Sequence, residues 1–268
     1  MNNILNGNIT IYHHDLRLSR DINKPHVYKP NTTLNEILGI NKESSVTSVY
    51  PTLSYFAIGV GGDTNITTDG SFSISKHSAK DATLFDIIPF VLRLPTNDIS
   101  ADERKKYCFS KDMVVNGVTY KAYYLKTISD IVSRDDFFKI VTNETGKSSL
   151  AIYNTNDESI IFPKPIDKAE YLVHPEKATL IAKTNKFLFN LEASDLVELD
   201  NVMTLLGITK SITEIALCNA ITPVTIDLEP KKVQVAYFAT CNLDISLKIL
   251  KQHPVNIYFE VGSNEPYL

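Results

Sequence analysis

From Val233 to Ile249 every odd position carries Val, Tyr, Ala, Cys, Leu or Ile, while the even positions are mostly Gln, Thr, Asn, Asp, Ser and Lys. A period of two places successive side chains on opposite faces of a strand, so this run reads as strand with one buried and one wet face. It is longer than the ~5–6 residues of an ordinary strand. It therefore reads either as two strands bent near Asn242 or as a long ribbon shared with a neighbouring subunit.

Shorter segments after Val46 repeat the theme. In "KDMVVNGVTYKAYYLKTI" Asn116-Gly117 separates two alternating runs, and both residue types tolerate the positive φ of a type I′ turn, which predicts a two-residue hairpin. "FDIIPFVLRLP" reads as a strand in which Pro89 demands an edge or a bulge. Ser100 and Glu103 in "SADERKKY" form a capping box for a turn or two of helix. The strongest helix is "SDLVELDNVMTLLG", with Leu196, Leu199, Met203 and Leu206 on one face and Gly207 as its stop. The fold class expected is mainly β, a β-rich α+β protein with antiparallel, sandwich-like sheets and a few short helices.

Residues 1–45 differ from the rest. Polar residues, prolines and isolated aromatics alternate without sustained period, which reads as an extended N-terminal arm. Only "TLNEILGI", with Thr33 as N-cap and Leu34, Ile37 and Leu38 at helical spacing, predicts a helix there. Prolines at 163, 165 and 175 mark a soft boundary, giving a β-rich domain over 46–165 and a second β-rich part over 166–268 that carries the amphipathic helix, with a single domain as the other reading.

Charge narrows the partners. A formal net charge of -4, with Lys and Arg scattered rather than striped, gives no footprint for nucleic acid or an anionic membrane. Apolar runs fall well short of the ~18–20 residues that cross a bilayer, and Met1-Asn2-Asn3-Ile4 opens no secretory signal, so the chain is expected to start life in a cytoplasm. Cys108, Cys218 and Cys241 lack C-x-x-C spacing and sit in apolar segments, as buried thiols do.

Three stretches imitate ligand sites. "YFAIGVGGDTNITTDGSFSIS", residues 55–75, has glycines at 59, 61 and 62 but no helix to follow them, so it is not a dinucleotide loop. Asp63, Asn65, Thr67 and Asp69 alternate like calcium ligands, yet Thr68 and Ile74 stand where an EF-hand needs Gly and Glu. The stretch reads as strand, turn, strand, with glycine where the chain bends sharply or a neighbour comes close; a structural cation in the loop over 59–70 is the other reading. "NETGKSS" ends like a Walker motif but has Val141 in place of its first glycine. In "YHHD" the adjacent His13 and His14, if on a strand, face opposite ways and cannot share a metal. His26, His77, His174 and His253 are solitary in sequence, and no nucleophile elbow, Cys/His signature or framed carboxylate pair appears. No enzyme, cofactor, metal or small-molecule substrate is expected. The candidate partner contacts are Tyr12, His13, His14 and Tyr28 in the arm, together with Tyr123 and Tyr124, of which strand alternation turns at least one outward.

Residues 84–128 carry P-F-x-x-R, then D-I-S-x-x-E-R-x-x-Y, then a hairpin ending in Y-Y-L-K. The residues concerned are Pro89, Phe90, Arg93, Asp98, Ser100, Glu103, Arg104, Tyr107 and Tyr123 to Lys126. This segment, with "YPTLSYFAIGVGG", "ITEIALCNAI" and "VQVAYFATCNLDIS", resembles structural proteins of tailed bacteriophages. The resemblance implies a non-enzymatic virion component of the neck, tail or baseplate that contacts copies of itself, as an oligomer or ring, and other virion proteins. A carbohydrate- or receptor-binding module is the alternative expectation, with exposed tyrosines as stacking platforms.

Overall fold

The structure, a computed structural model, describes residues 9–24, 26–27, 38, 46–47, 52–61, 65–66, 72–73, 77–81, 84–133, 137–142, 148–153, 180–221, 235–248 and 253–266. The protein is β-rich α+β, with antiparallel sheets and three short α-helices among the described residues. In chain order the elements begin with α1 (Ile11–Asp21), β1 (His26–Val27), β2 (Val46–Thr47), β3 (Thr52–Gly59), β4 (Asn65–Ile66), β5 (Phe72–Ser73), β6 (Ile87–Ile88) and β7 (Val91–Arg93). A 3-10 turn over Pro95–Asn97 leads to α2 (Ala101–Arg104), β8 (Tyr107–Val115), β9 (Val118–Thr127), β10 (Asp130–Ser133), β11 (Phe137–Thr142) and β12 (Ser148–Tyr153). The last elements are β13 (Leu180–Leu191), α3 (Ala193–Leu206), β14 (Ser211–Ile221), β15 (Val235–Lys248) and β16 (Val255–Pro266).

The chain divides into two units. The larger comprises Leu5–Ile128 and Phe189–Asn256, the smaller Ser129–Leu188 and Ile257–Leu268. The boundary expected near residue 165 is not one of these limits. β16 pairs with β13, so the last strand returns to a middle segment of the chain. Long-range pairing of that kind leaves no mark in local composition, and the prolines at 163–175 lie outside the described residues.

A seven-stranded sheet in the order β15-β14-β3-β9-β7 forms the larger unit, with β6 on β3 and β8 on β9. The hairpin expected at Asn116-Gly117 is there. β8 and β9 run antiparallel from Val115 opposite Val118 to Tyr107 opposite Lys126, and φ of 49° at Asn116 and 79° at Gly117 gives the type I′ turn that matches strand twist. Pro89 breaks the predicted strand into β6 and β7, and Phe90 N–H donates to Tyr123 O at 2.8 Å across the break. Ser100 and Glu103 form the reciprocal capping box of α2.

Over Val235–Lys248 the long alternating run is one strand rather than two, at the edge of the sheet. β15 pairs with β14 along its length, from Ser211 opposite Lys248 to Ile221 opposite Val235, with register shifts at two points. One leaves Ala239 and Thr240 without opposite numbers, just ahead of the expected bend at Asn242. In β14 every residue from Ile212 to Ala220 is buried irrespective of parity, so both faces of this central strand are covered.

α3 is the expected amphipathic helix. Leu196, Leu199, Val202 and Met203 are buried, Leu206 is half-buried, and left-handed Gly207 ends the helix. Glu192 and Asp195 cap its start reciprocally. Phe56 of β3 and Phe189 of β13 meet edge to face at 4.9 Å, while Phe90, Tyr107 and Tyr123 form a second aromatic group with centroids 5.9 Å apart. Cys108 and Cys218 are buried free thiols in the same apolar cluster, and burial raises the Cys218 pKa well above its ordinary value. The side chain of Cys241 lies outside the described residues.

The smaller unit holds a five-stranded sheet in the order β10-β13-β11-β12, with β16 on β13. β11 and β12 pair from Thr142 opposite Ser148 to Phe137 opposite Tyr153. "NETGKSS" therefore bridges two strands, and Ser148 opens a strand rather than the helix a phosphate loop needs.

A Cβ at position 117 would meet nothing within 4 Å, so replacing Gly117 tests backbone strain alone. Gly117→Ala is expected to cost about 1 kcal/mol in urea unfolding, with Gly117→Asn recovering most of it because Asn adopts the left-handed region more readily.

Candidate functional site

The chemistry of the larger unit concentrates on Glu214, in β14 opposite Gly59 of β3. Its side chain is 0% exposed. Oε1 accepts from Gly61 N–H at 2.8 Å and Asp86 N–H at 3.3 Å, and Oε2 from Phe85 N–H at 2.7 Å and His77 Nε2 at 2.6 Å. A buried carboxylate is tolerated only when its lone pairs are filled in this way. The His77 ring lies flat on Phe85 at 4.1 Å and places Nδ1 3.5 Å from Asp81 Oδ2. Burial, then the Glu214 charge, raises the pKa of Asp86.

This site explains the glycine-rich stretch. A Cβ at Gly59 would sit 2.8 Å from both Glu214 Oε1 and Asp86 O, and one at Gly61 only 2.6 Å from Asp86 N and Phe85 Cβ. The glycines let the carboxylate and a neighbouring strand approach the backbone, the close approach that the sequence led us to expect. β4 and β5 pair antiparallel; the residues between them, and Asp63, lie outside the described residues. Among the described residues no group of three or more His, Cys, Asp or Glu is placed to hold a metal, and no helix is long and apolar enough to cross a membrane. Sequence reasoning missed both Glu214 and His77. The available signal was an acidic residue inside the apolar run "ITEIALCNAI".

A second cluster surrounds Asp98. Its Oδ1 accepts from Tyr123 Oη at 2.7 Å and from Ile99 N–H at 2.8 Å, and Oδ2 lies 3.5 Å from both Arg104 and Lys121. Burial pushes the Asp98 pKa up, but the Tyr123 and Ile99 hydrogen bonds and the Lys121 and Arg104 charges outweigh it and hold the group below its ordinary value. Nearby, Lys126 Nζ donates to Asp195 Oδ2 at 2.5 Å and to Asn190 O at 3.0 Å, tying β9 to the start of α3. Burial lowers the Lys126 pKa despite the Asp195 charge. Arg93 of β7 pairs with Glu198 of α3. Between these two elements an open groove of about 380 Å³ runs past Leu92, Asn97 and Tyr120 on one side and Asn201, Thr204 and Leu205 on the other.

The sequence-based candidates fall differently. Tyr123 and Tyr124 do take opposite faces, but both faces are covered, leaving the residues 0% and 3% exposed. Tyr123 packs on Tyr107 and binds Asp98; Tyr124 packs on Phe109, with its hydroxyl toward Met113 and its pKa pushed up to about 12 by burial. Neither is a surface platform. Tyr12, His13 and His14 belong to α1, not to an extended arm, with Tyr12 and His13 half-buried and His14 exposed. Their ring neighbours, His13 and His14, stand 6.3 Å apart. Burial, followed by His14, Arg17 and Arg20, lowers the His13 pKa to about 4. Tertiary contacts hold the start of α1: Thr10 is buried, Ile11 N–H donates to Ala79 O at 2.8 Å, and Leu16 is the helix's one buried residue. Leu38 is also buried, so the segment before residue 46 supplies core side chains. Tyr28 lies outside the described residues.

Fold and site thus define a two-unit antiparallel β protein whose buried ionised groups bind backbone amides and one another. The chain belongs to the DUF7208 family, a family of unknown function, matched over residues 3–268. No curated protein and no solved structure matches it.

Glu214→Ala leaves His77 and three backbone N–H groups without their acceptor in the interior. The expected loss is about 3–5 kcal/mol in denaturant unfolding; a loss below about 1 kcal/mol would mean that the carboxylate does not hold these segments. Asp98 carries a depressed folded pKa, so its contribution is present above the unfolded value of about 4 and disappears as pH falls through the folded one. Unfolding midpoints measured from pH 6 down to pH 2 are expected to fall more steeply in the parent than in Asp98→Asn.

Proposed function

We propose that the protein is a non-enzymatic structural subunit of a tailed-phage virion, in the neck, tail or baseplate, that associates with copies of itself and with neighbouring virion proteins. One observation carries the reading. The residues on which the resemblance rests meet in a single interlocked cluster: Phe90 bonds and packs against the Tyr123–Tyr107 pair, Asp98 gathers Tyr123 and Arg104, Ser100 and Glu103 cap α2, and Arg93 and Lys126 are tied to α3. A motif used to lock a hairpin onto a helix fits a protein selected for a rigid, repeatable shape. Polar groups available for catalysis are instead spent on backbone and on one another. The adhesin-like reading loses the platforms it was based on, since Tyr123 and Tyr124 are interior.

Deletion of residues 1–45 is not a clean test, because Leu16 and Leu38 belong to the core. Light scattering of the intact chain across a wide concentration range is. The expected result is a concentration-dependent oligomer or a closed ring, visible by negative-stain electron microscopy. A 30.0 kDa monomer at every concentration overturns the self-associating subunit.

A further inference from the structure

We infer that the open groove between β7 and α3 is a binding site for a neutral saccharide. The volume, about 380 Å³, matches a ligand of one or two sugar rings, at the lower end of the ~300–1,000 Å³ of small-molecule sites. Its chemistry selects the class. The one charged side chain in the lining, Arg93, is already neutralised by Glu198, which leaves little to attract a phosphate, a carboxylate or a cation. What remains is two amides, Asn97 and Asn201, each offering two donors and an acceptor, with the Thr204 oxygen beside them. Vicinal hydroxyls both donate and accept, and an amide satisfies both functions at once. The Thr204 hydroxyl donates to Asp200 O at 2.7 Å, so its oxygen is left to act as an acceptor.

The apolar part fits the same ligand. Leu92, only 4% exposed, sits at the base, with Leu205 and the Tyr120 ring half-buried beside it. A sugar presents a C–H face as well as hydroxyls, and aromatic and aliphatic side chains take up that face. The groove is shallow, which suits a ligand that keeps part of its hydration. Asn97 and Asn201 are exposed and support no part of the core, so their amides are free of a structural duty that the Asp98 and Glu214 clusters carry. This site is separate from Tyr123 and Tyr124, and its occupancy is independent of whether the protein assembles into a virion.

The test is saturation-transfer NMR on the intact chain, with glucose, galactose, mannose and the N-acetylated forms of glucosamine and galactosamine as probes at millimolar concentration. Transfer to the C–H protons of at least one sugar is expected, together with shifts of Asn97 and Asn201 side-chain amide resonances. The double variant Asn97→Ala/Asn201→Ala, with circular dichroism and melting unchanged, is expected to bind about tenfold more weakly. Absence of transfer from every sugar overturns the assignment, as does transfer of equal strength in the double variant. Amide shifts produced by an uncharged peptide and by no sugar also overturn it, and assign the groove to a protein partner.

Discussion

One buried carboxylate sets the geometry of the larger unit. Removing Glu214 from water carries a desolvation cost of several kcal/mol, and it is offset only because four donors from separate parts of the chain converge on its two oxygens. The end of β3, the His77 segment and the Phe85–Asp86 turn are therefore held at one point of β14. Gly59 and Gly61 follow from that convergence, since any Cβ there would overlap the atoms that satisfy the charge. The pKa of Asp86 is raised by its burial and, second, by the neighbouring Glu214 charge.

The hairpin β8–β9 is anchored by the same logic with a different set of groups. Asp98 lies outside the strands but binds Tyr123 within β9, and Arg104 and Lys121 balance its charge. Lys126, near the end of the same strand, reaches Asp195 at the start of α3. Sheet and helix are joined by directional contacts in addition to apolar packing, which fixes register and orientation as well as proximity. The uncharged amides left on the surface between β7 and α3 are groups the scaffold does not use.

Features carried by local chemistry were legible in the sequence. Asn116-Gly117 encoded a type I′ turn because few residue pairs accept two positive φ angles, and φ of 49° and 79° followed. Ser100 and Glu103 encoded a cap, and Leu196, Leu199 and Met203 a buried helix face, for equally local reasons. α1 was not legible, because its few apolar residues stand among polar ones and only Leu16 of them is buried. The burial of both Tyr123 and Tyr124 was missed because alternation assigns faces but does not say how many faces are covered.

The sequence by itself determined the β-rich class, the hairpin, the helix beginning near residue 193 and a glycine-permissive stretch that includes Gly59 and Gly61. Only the tertiary structure decided why those glycines are needed, which solitary histidine meets which glutamate, and how β16 returns to β13 to make a second unit. The physical reason is distance along the chain. Turns, caps and periodic faces arise from neighbours within a few residues, whereas the Glu214–His77 contact spans 137 positions and exists only after the sheet has brought them together.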